Sequence, residues 1–117
     1  MNEGFATYSG LLYVRAAGDT ASFRKELAKR QKSAATAPAL LGFEPRNYPY
    51  PVRRQVLYDK GTATLYQLHQ RLGDEQFFRI LTKTAAAKLA TTEAFLNLVE
   101  KESSRQTREW LLAQLQV

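Results

Sequence analysis

Apolar residues recur at helical spacing along most of this chain, and the pattern fails over one stretch. Phe5, Tyr8 and Leu12 predict an amphipathic helix over residues 3–16, with Gly18 as its terminator. Asp19 or Thr20 can cap a second helix, to about Lys32, that buries Phe23 and Leu27. From Ala34 to Arg54, Pro38, Pro45, Pro49 and Pro51 forbid a continuous helix. That stretch is a connection which neighbours must pin or which stays mobile. From about Arg54 to Leu72 the helix returns, with Leu57, Gly61, Leu65, Leu68 and Leu72 on one stripe. Gly73 ends it and Asp74 is the expected cap of the next, whose inner face is Phe77, Ile80, Leu81 and Thr84. Thr91 or Thr92 caps another, burying Phe95, Leu98 and Val99. The last begins near Ser103, where Gln106 can complete a capping box, and buries Trp110 or Leu111, and Leu115. No stretch reads convincingly as a strand. The expected fold class is all-α, an irregular multi-helix array.

Composition narrows this further. A chain of 117 residues is one domain at most, and 44% hydrophobic residues can build a core, which argues against disorder. The expected organisation is a single partial domain, 1–117: two helices in 1–33, the Pro-containing connection in 34–53 and a helical array in 54–117. The absence of cysteine excludes a disulfide scaffold and any thiolate metal site. No apolar run approaches the roughly 20 residues of a membrane span, and Met1-Asn2-Glu3-Gly4 does not open a signal peptide. No membrane partner is expected, and the compartment stays unknown.

The net charge of +6 raises nucleic acid as a partner. Its densest stretch is Arg24, Lys25, Lys29, Arg30 and Lys32, around the apolar Phe23 and Leu27. On an amphipathic helix such residues form a solvated face. No nucleic-acid motif accompanies them, and none is expected as a partner.

Two short motifs carry the chemistry. Asn2-Glu3-Gly4-Phe5-Ala6-Thr7-Tyr8 closely resembles the W-L-N-E-G-F-A-x-Y segment of the aminopeptidase N-type zinc metallopeptidases, a gluzincin family. Tyr58-Asp59-Lys60-Gly61 resembles that family's Y-x-K-G. Leu72-Gly73-Asp74-Glu75-Gln76-Phe77 resembles its L-G-D-E-x-F, and Thr91-Thr92-Glu93-Ala94-Phe95 its T-T-x-D-F. Each motif alone is weak; four in order, spread over the chain, point to common ancestry. The resemblance implies the helical subdomain of a thermolysin-like peptidase domain. It implies Glu3 as the third zinc ligand and Tyr58 as the hydroxyl that donates to the oxyanion of the tetrahedral intermediate. The phenol suits that role, being a neutral donor at pH 7.

Departures from the family matter as much. Its tail reads S-G-x-D-L, where this chain has Ser103-Ser104-Arg105-Gln106-Thr107. Only Met1 and Asn2 precede Glu3, so the H-E-x-x-H helix and its general-base glutamate are not among these residues. The family's G-x-M-E-N strand is not among them either.

Each singled-out residue also has a plainer reading. Glu3 can be a first-turn helix glutamate, favoured by the helix dipole. A catalytic zinc needs three protein ligands, and His69 is the sole histidine. In a straight α-helix the eleven residues from Tyr58 to His69 return the side chain to about the same face, but about 16 Å further along. His69 is therefore expected to be a structural histidine. Tyr58 can be an ordinary core tyrosine, and Lys60 a solvated lysine with no chemical role. Gly61 inside a helix costs about 1 kcal/mol relative to alanine, which predicts a close backbone neighbour.

The expected function is that of a fragment of a zinc aminopeptidase catalytic domain, inactive alone. The parent would remove N-terminal residues from peptides and would hold zinc, with no metal expected in this chain by itself. Its partners would be the missing N-terminal part of the domain, or a second copy. Self-association would use an apolar face around Phe5, Tyr8 and Leu12 that the missing helix would otherwise cover. The alternative is a stand-alone, non-catalytic helical interaction module derived from the same fold.

Overall fold

Several helix ends in this protein are set by short polar side chains and by glycine. The computed structural model describes residues 2–89 and 91–117; Met1 lies outside the described residues. Helix α1 (Asn2–Ala16) ends where Gly18 takes φ +97°, a conformation glycine adopts without strain. In α2 (Thr20–Ala34) the cap is Asp19, whose Oδ1 accepts the Ser22 amide at 3.0 Å. Hydrogen bonding from Ser22, hydroxyl first and then amide, holds the Asp19 carboxyl below its ordinary pKa.

The helix after the connection starts at Tyr50, four residues before the expected Arg54, as α3 (Tyr50–Arg54). Pro49 is its cap and Pro51 sits in its first turn, where a missing N–H costs nothing. The helix then widens into a π-helical segment, Gln55–Lys60, and continues as α4 (Gly61–Leu72). The Gly61 amide reaches back to the Val56 carbonyl, five residues away, as well as to Tyr58. A π turn inserts one residue and rotates everything before it by roughly 100° relative to an α-helix. That explains a departure from the predicted stripe: Val56 is fully buried, whereas Leu57 is half-buried.

A short 3-10 turn, Pro45–Asn47, interrupts the connection, and the remaining α-helices are α5 (Asp74–Ala87), α6 (Thr92–Glu102) and α7 (Arg105–Leu115). Thr91 caps α6 by accepting the Ala94 amide at 3.1 Å. Two other caps differ from expectation. Gly73, at φ +83°, is the cap residue of α5, and the Asp74 carboxylate is engaged elsewhere. Ser104 caps α7 through the Thr107 amide at 3.1 Å, while the Ser103 hydroxyl turns back to the Val99 carbonyl and closes α6. Gln106 therefore sits one position too early for a capping box. No strand occurs among the described residues: the protein is an all-α, multi-helix array.

The chain divides into two compact units, Met1–Tyr66 and Gln67–Val117. In the first, α1, α2 and the π segment pack on one another, and Tyr8, Leu11, Phe23, Leu27, Val56 and Leu65 are buried. Tyr66 meets Tyr8 edge-on at 6.3 Å and Phe23 at 6.4 Å. In the second unit α6 packs against both α5 and α7. Two neighbours widen its buried arc, so Leu96 is buried beside Phe95 and Val99, and Leu98 is half-buried. Leu111 and Leu115 fill α7's inner face, while the half-buried Trp110 ring lies under the Arg71 guanidinium at 5.0 Å. Lys83 pairs with Glu102, and Arg108 with Glu93 at 2.8 Å.

Candidate functional site

The two motifs that hold the implied site residues, out of the four that carry the family resemblance, lie together in the first unit, at a contact between two glycines. A Cβ built on Gly4 would stand 3.0 Å from both Cα and C of Gly61. One built on Gly61 would stand 3.1 Å from the Gly4 Cα. Backbone meets backbone here, and no side chain fits between. The close neighbour expected at Gly61 is thus the first turn of α1. Glu3 immediately precedes Gly4, and Tyr58 stands one turn before Gly61, so the contact gathers both motifs at one place in the fold.

Glu3 occupies the first turn of α1 and is half-buried. Tyr58, also half-buried, lies within the π segment with the Arg54 guanidinium 4.7 Å from its ring centre. Arg54 also donates through Nη1 to the Tyr50 hydroxyl at 3.3 Å, and that bond raises its pKa. Among the described residues no hydrogen bond or ion pair engages the Glu3 carboxylate or the Tyr58 hydroxyl. Thr62, next to Gly61, is fully buried, and its hydroxyl has no partner among the described residues. A helical threonine ordinarily donates to the carbonyl four residues back, as Thr84 does to Ile80 at 2.8 Å.

Side chains of the π segment fasten it from another direction. Asp59 accepts from Arg30 Nη1 at 2.8 Å and from the Ser33 hydroxyl at 2.6 Å, both on α2. Lys60 Nζ donates to the Ala37 and Pro38 carbonyls at 3.1 and 3.0 Å, and burial lowers its pKa. Gln55 Nε2 donates to the Ser33 carbonyl and the Thr36 hydroxyl. Lys60 is therefore a structural tether rather than a solvated cation. Together with Gln55 it pins the start of the Pro-containing connection. Of the basic cluster on α2, Arg24, Lys25, Lys29 and Lys32 are exposed, and Arg30 alone is diverted to Asp59.

His69 belongs to the second unit. It is buried, stacks on Phe77 at 4.4 Å between ring centres and 8° between planes, and its Nε2 lies 2.6 Å from Asp74 Oδ1. This is the structural histidine the sequence suggests, and Asp74 is its partner. Asp74→Ala removes one hydrogen bond to a buried ring; with Asp74 itself largely exposed, a loss of about 1 kcal/mol is expected in urea denaturation. Asp74→Asn, which keeps an oxygen acceptor, is expected to lose less.

Among the described residues no three His, Cys, Asp or Glu side chains gather as a metal-binding group. A catalytic zinc requires three protein ligands, and no such set gathers around Glu3, the position the family resemblance implies as a ligand, so the residues present do not by themselves fit a complete site. No helix among the described residues is long and apolar enough to cross a membrane. On α1, Tyr8 is fully buried, Phe5 and Leu12 are half-buried, and Tyr13 is the exposed aromatic. Comparison with known protein families, with curated proteins and with solved structures finds no match.

Sequence reasoning picked out Glu3, Tyr58 and Gly61 but missed Gly4, Arg30, Ser33 and Asp59. Gly4 carries a readable signal, a second glycine in the first turn of a helix. Arg30 and Ser33 carry none, because their partner is distant in sequence.

Proposed function

We propose that this chain is the C-terminal helical part of the catalytic domain of an aminopeptidase N-type zinc metallopeptidase, and that it is inactive alone. The observation that supports this reading is the Gly4–Gly61 contact. It joins the two segments that supply a zinc ligand and an oxyanion donor in that family, and gives both glycines a reason to be glycine.

In this reading Glu3 would be one of the residues that hold a zinc ion, the others lying outside these residues. A zinc held there would supply polarisation of the scissile carbonyl and activation of water. Tyr58 donates its hydroxyl hydrogen to the carbonyl oxygen as negative charge develops there. Its neutral phenol supplies the bond without adding charge to the site. The substrate is a peptide with a free N-terminus. The chain's nearest partner is the N-terminal portion of the peptidase domain, which would carry H-E-x-x-H.

Two measurements test this. Zinc titrated calorimetrically into the metal-free chain should bind weakly or not at all, and Glu3→Ala should leave the trace unchanged. Co-expression with the N-terminal portion of an aminopeptidase N-type domain should then give zinc bound one to one. Glu3→Ala should abolish that binding. Tyr58→Phe should keep the zinc and lower aminoacyl-anilide hydrolysis by about 10²–10³, the typical cost of one oxyanion donor. A co-purified complex that binds zinc equally with and without Glu3 would sink the proposal, as would anilide hydrolysis by the chain alone.

A further inference from the structure

A π turn is a local departure that an α-helical alternative always competes with, and it persists where surrounding contacts fix it. Here it lies at the segment that presents Tyr58, and Asp59 is its most strongly held side chain. The two acceptor bonds of Asp59, at 2.8 Å from Arg30 and 2.6 Å from Ser33, are within the range of charge-assisted hydrogen bonds. Both partners are on α2, and the Arg30 and Asp59 side chains are only 23% and 19% exposed, which limits screening by solvent. From its other side the segment is limited by Gly4, whose backbone leaves no room for Gly61 to shift inward.

We propose that the Arg30–Asp59–Ser33 cluster consists of positioning residues that hold residues 55–60 in π register and thereby set the direction of the Tyr58 hydroxyl. If the inserted residue is lost, the segment becomes α-helical. Side chains on one side of it then rotate by roughly 100° relative to those on the other. Asp59 can meet Arg30 and Ser33 in one register only, because both donors are fixed on α2. Asp59 is the residue adjoining the proposed oxyanion donor, so the inference rests on the peptidase reading for its functional meaning. The register itself does not depend on that reading.

The test measures the register directly in the isolated chain, without metal or substrate. Scalar coupling across hydrogen bonds in the ¹⁵N,¹³C-labelled protein should connect the Gly61 amide nitrogen to the Val56 carbonyl carbon. Asp59→Asn and Arg30→Gln should each weaken or abolish that coupling. Each should also speed exchange of the Gly61 amide at least tenfold relative to the Leu27 amide in the same unit. The double variant should lose no more than the larger single one, as expected for one shared interaction. Should Asp59→Asn fail to fold, Ser33→Ala removes one hydrogen bond only and should still speed Gly61 exchange about threefold over Leu27. A register that stays intact in the variants, or exchange that rises equally at Gly61 and Leu27, would assign the cluster to general stability and overturn the proposal. Failure here leaves the zinc titration untouched, and failure of the zinc titration leaves the register result standing.

Discussion

Tyr8→Ala should lower the unfolding free energy by about 3–5 kcal/mol, the cost typical of deleting a buried aromatic ring. Tyr8 is fully buried on α1, and its ring meets Tyr66 edge-on at 6.3 Å. Tyr66 also meets Phe23 of α2 at 6.4 Å, so one aromatic cluster ties α1, α2 and the first half of α4 together. Removing its α1 member leaves a cavity that three helices border. These cannot all close on it, because Gly4 and Gly61 are already in backbone contact a turn away. Typical domains have 5–15 kcal/mol in hand, so the loss takes a large share of the total. The measurement is a urea titration, with the midpoint shifted well down and the slope unchanged. Tyr8→Phe separates the ring from its hydroxyl and should retain most of the stability. A Tyr8→Ala loss below about 1 kcal/mol would mean the cluster does not hold the first unit together.

Where the sequence could be read, the signal was local. Asp19 and Thr91 are capping residues at the start of apolar periodic runs, and each accepts the predicted kind of bond. Their energetics need nothing beyond three neighbouring residues. Asp74 failed for a distinct reason. It stands where a cap would, but a buried imidazole five residues earlier offers its carboxylate a partner, and Gly73 can end one helix and start the next without it. At Ser103 and Ser104 two hydroxyls compete for one role, and the first is consumed in closing α6. The stripe through Leu57 failed because a periodic projection assumes one helical pitch throughout. The π turn is maintained by Arg30, Ser33 and Gly4, which lie far from it in sequence, so no window around Leu57 contains its cause. The candidate site follows the same rule. Glu3 and Tyr58 stand in recognisable motifs, but what brings the motifs together is a contact between residues 57 positions apart, 61 minus 4.

That contact yields a second large effect, opposite in sign to ordinary helix propensity. Alanine in place of a helical glycine is worth up to about 1 kcal/mol where nothing is in the way. Gly10, exposed on α1 with no atom within 4 Å of a built Cβ, is such a position, and Gly10→Ala should stabilise the protein by about that amount. At Gly61 the new methyl would meet the Gly4 Cα at 3.1 Å, and at Gly4 it would meet Gly61 Cα and C at 3.0 Å. Those are backbone atoms of two helices and cannot rotate aside, so α1 and the π segment must part by a few tenths of an ångström. Overpacking of this kind costs about 1–3 kcal/mol and exceeds the propensity gain. Gly4→Ala and Gly61→Ala should therefore both lower the denaturation midpoint while Gly10→Ala raises it. The double variant should lose less than the sum of the singles, since the first methyl already forces the helices apart. In the proposed peptidase the same displacement carries Glu3 away from Tyr58. Either variant, complemented with the zinc-binding portion of the domain, should then lose more anilide hydrolysis than its stability explains, since rate is sensitive to the placement of catalytic groups. Equal stability in all three alanine variants would show that the two helices do not depend on the glycine contact, and would remove the observation on which the peptidase reading stands.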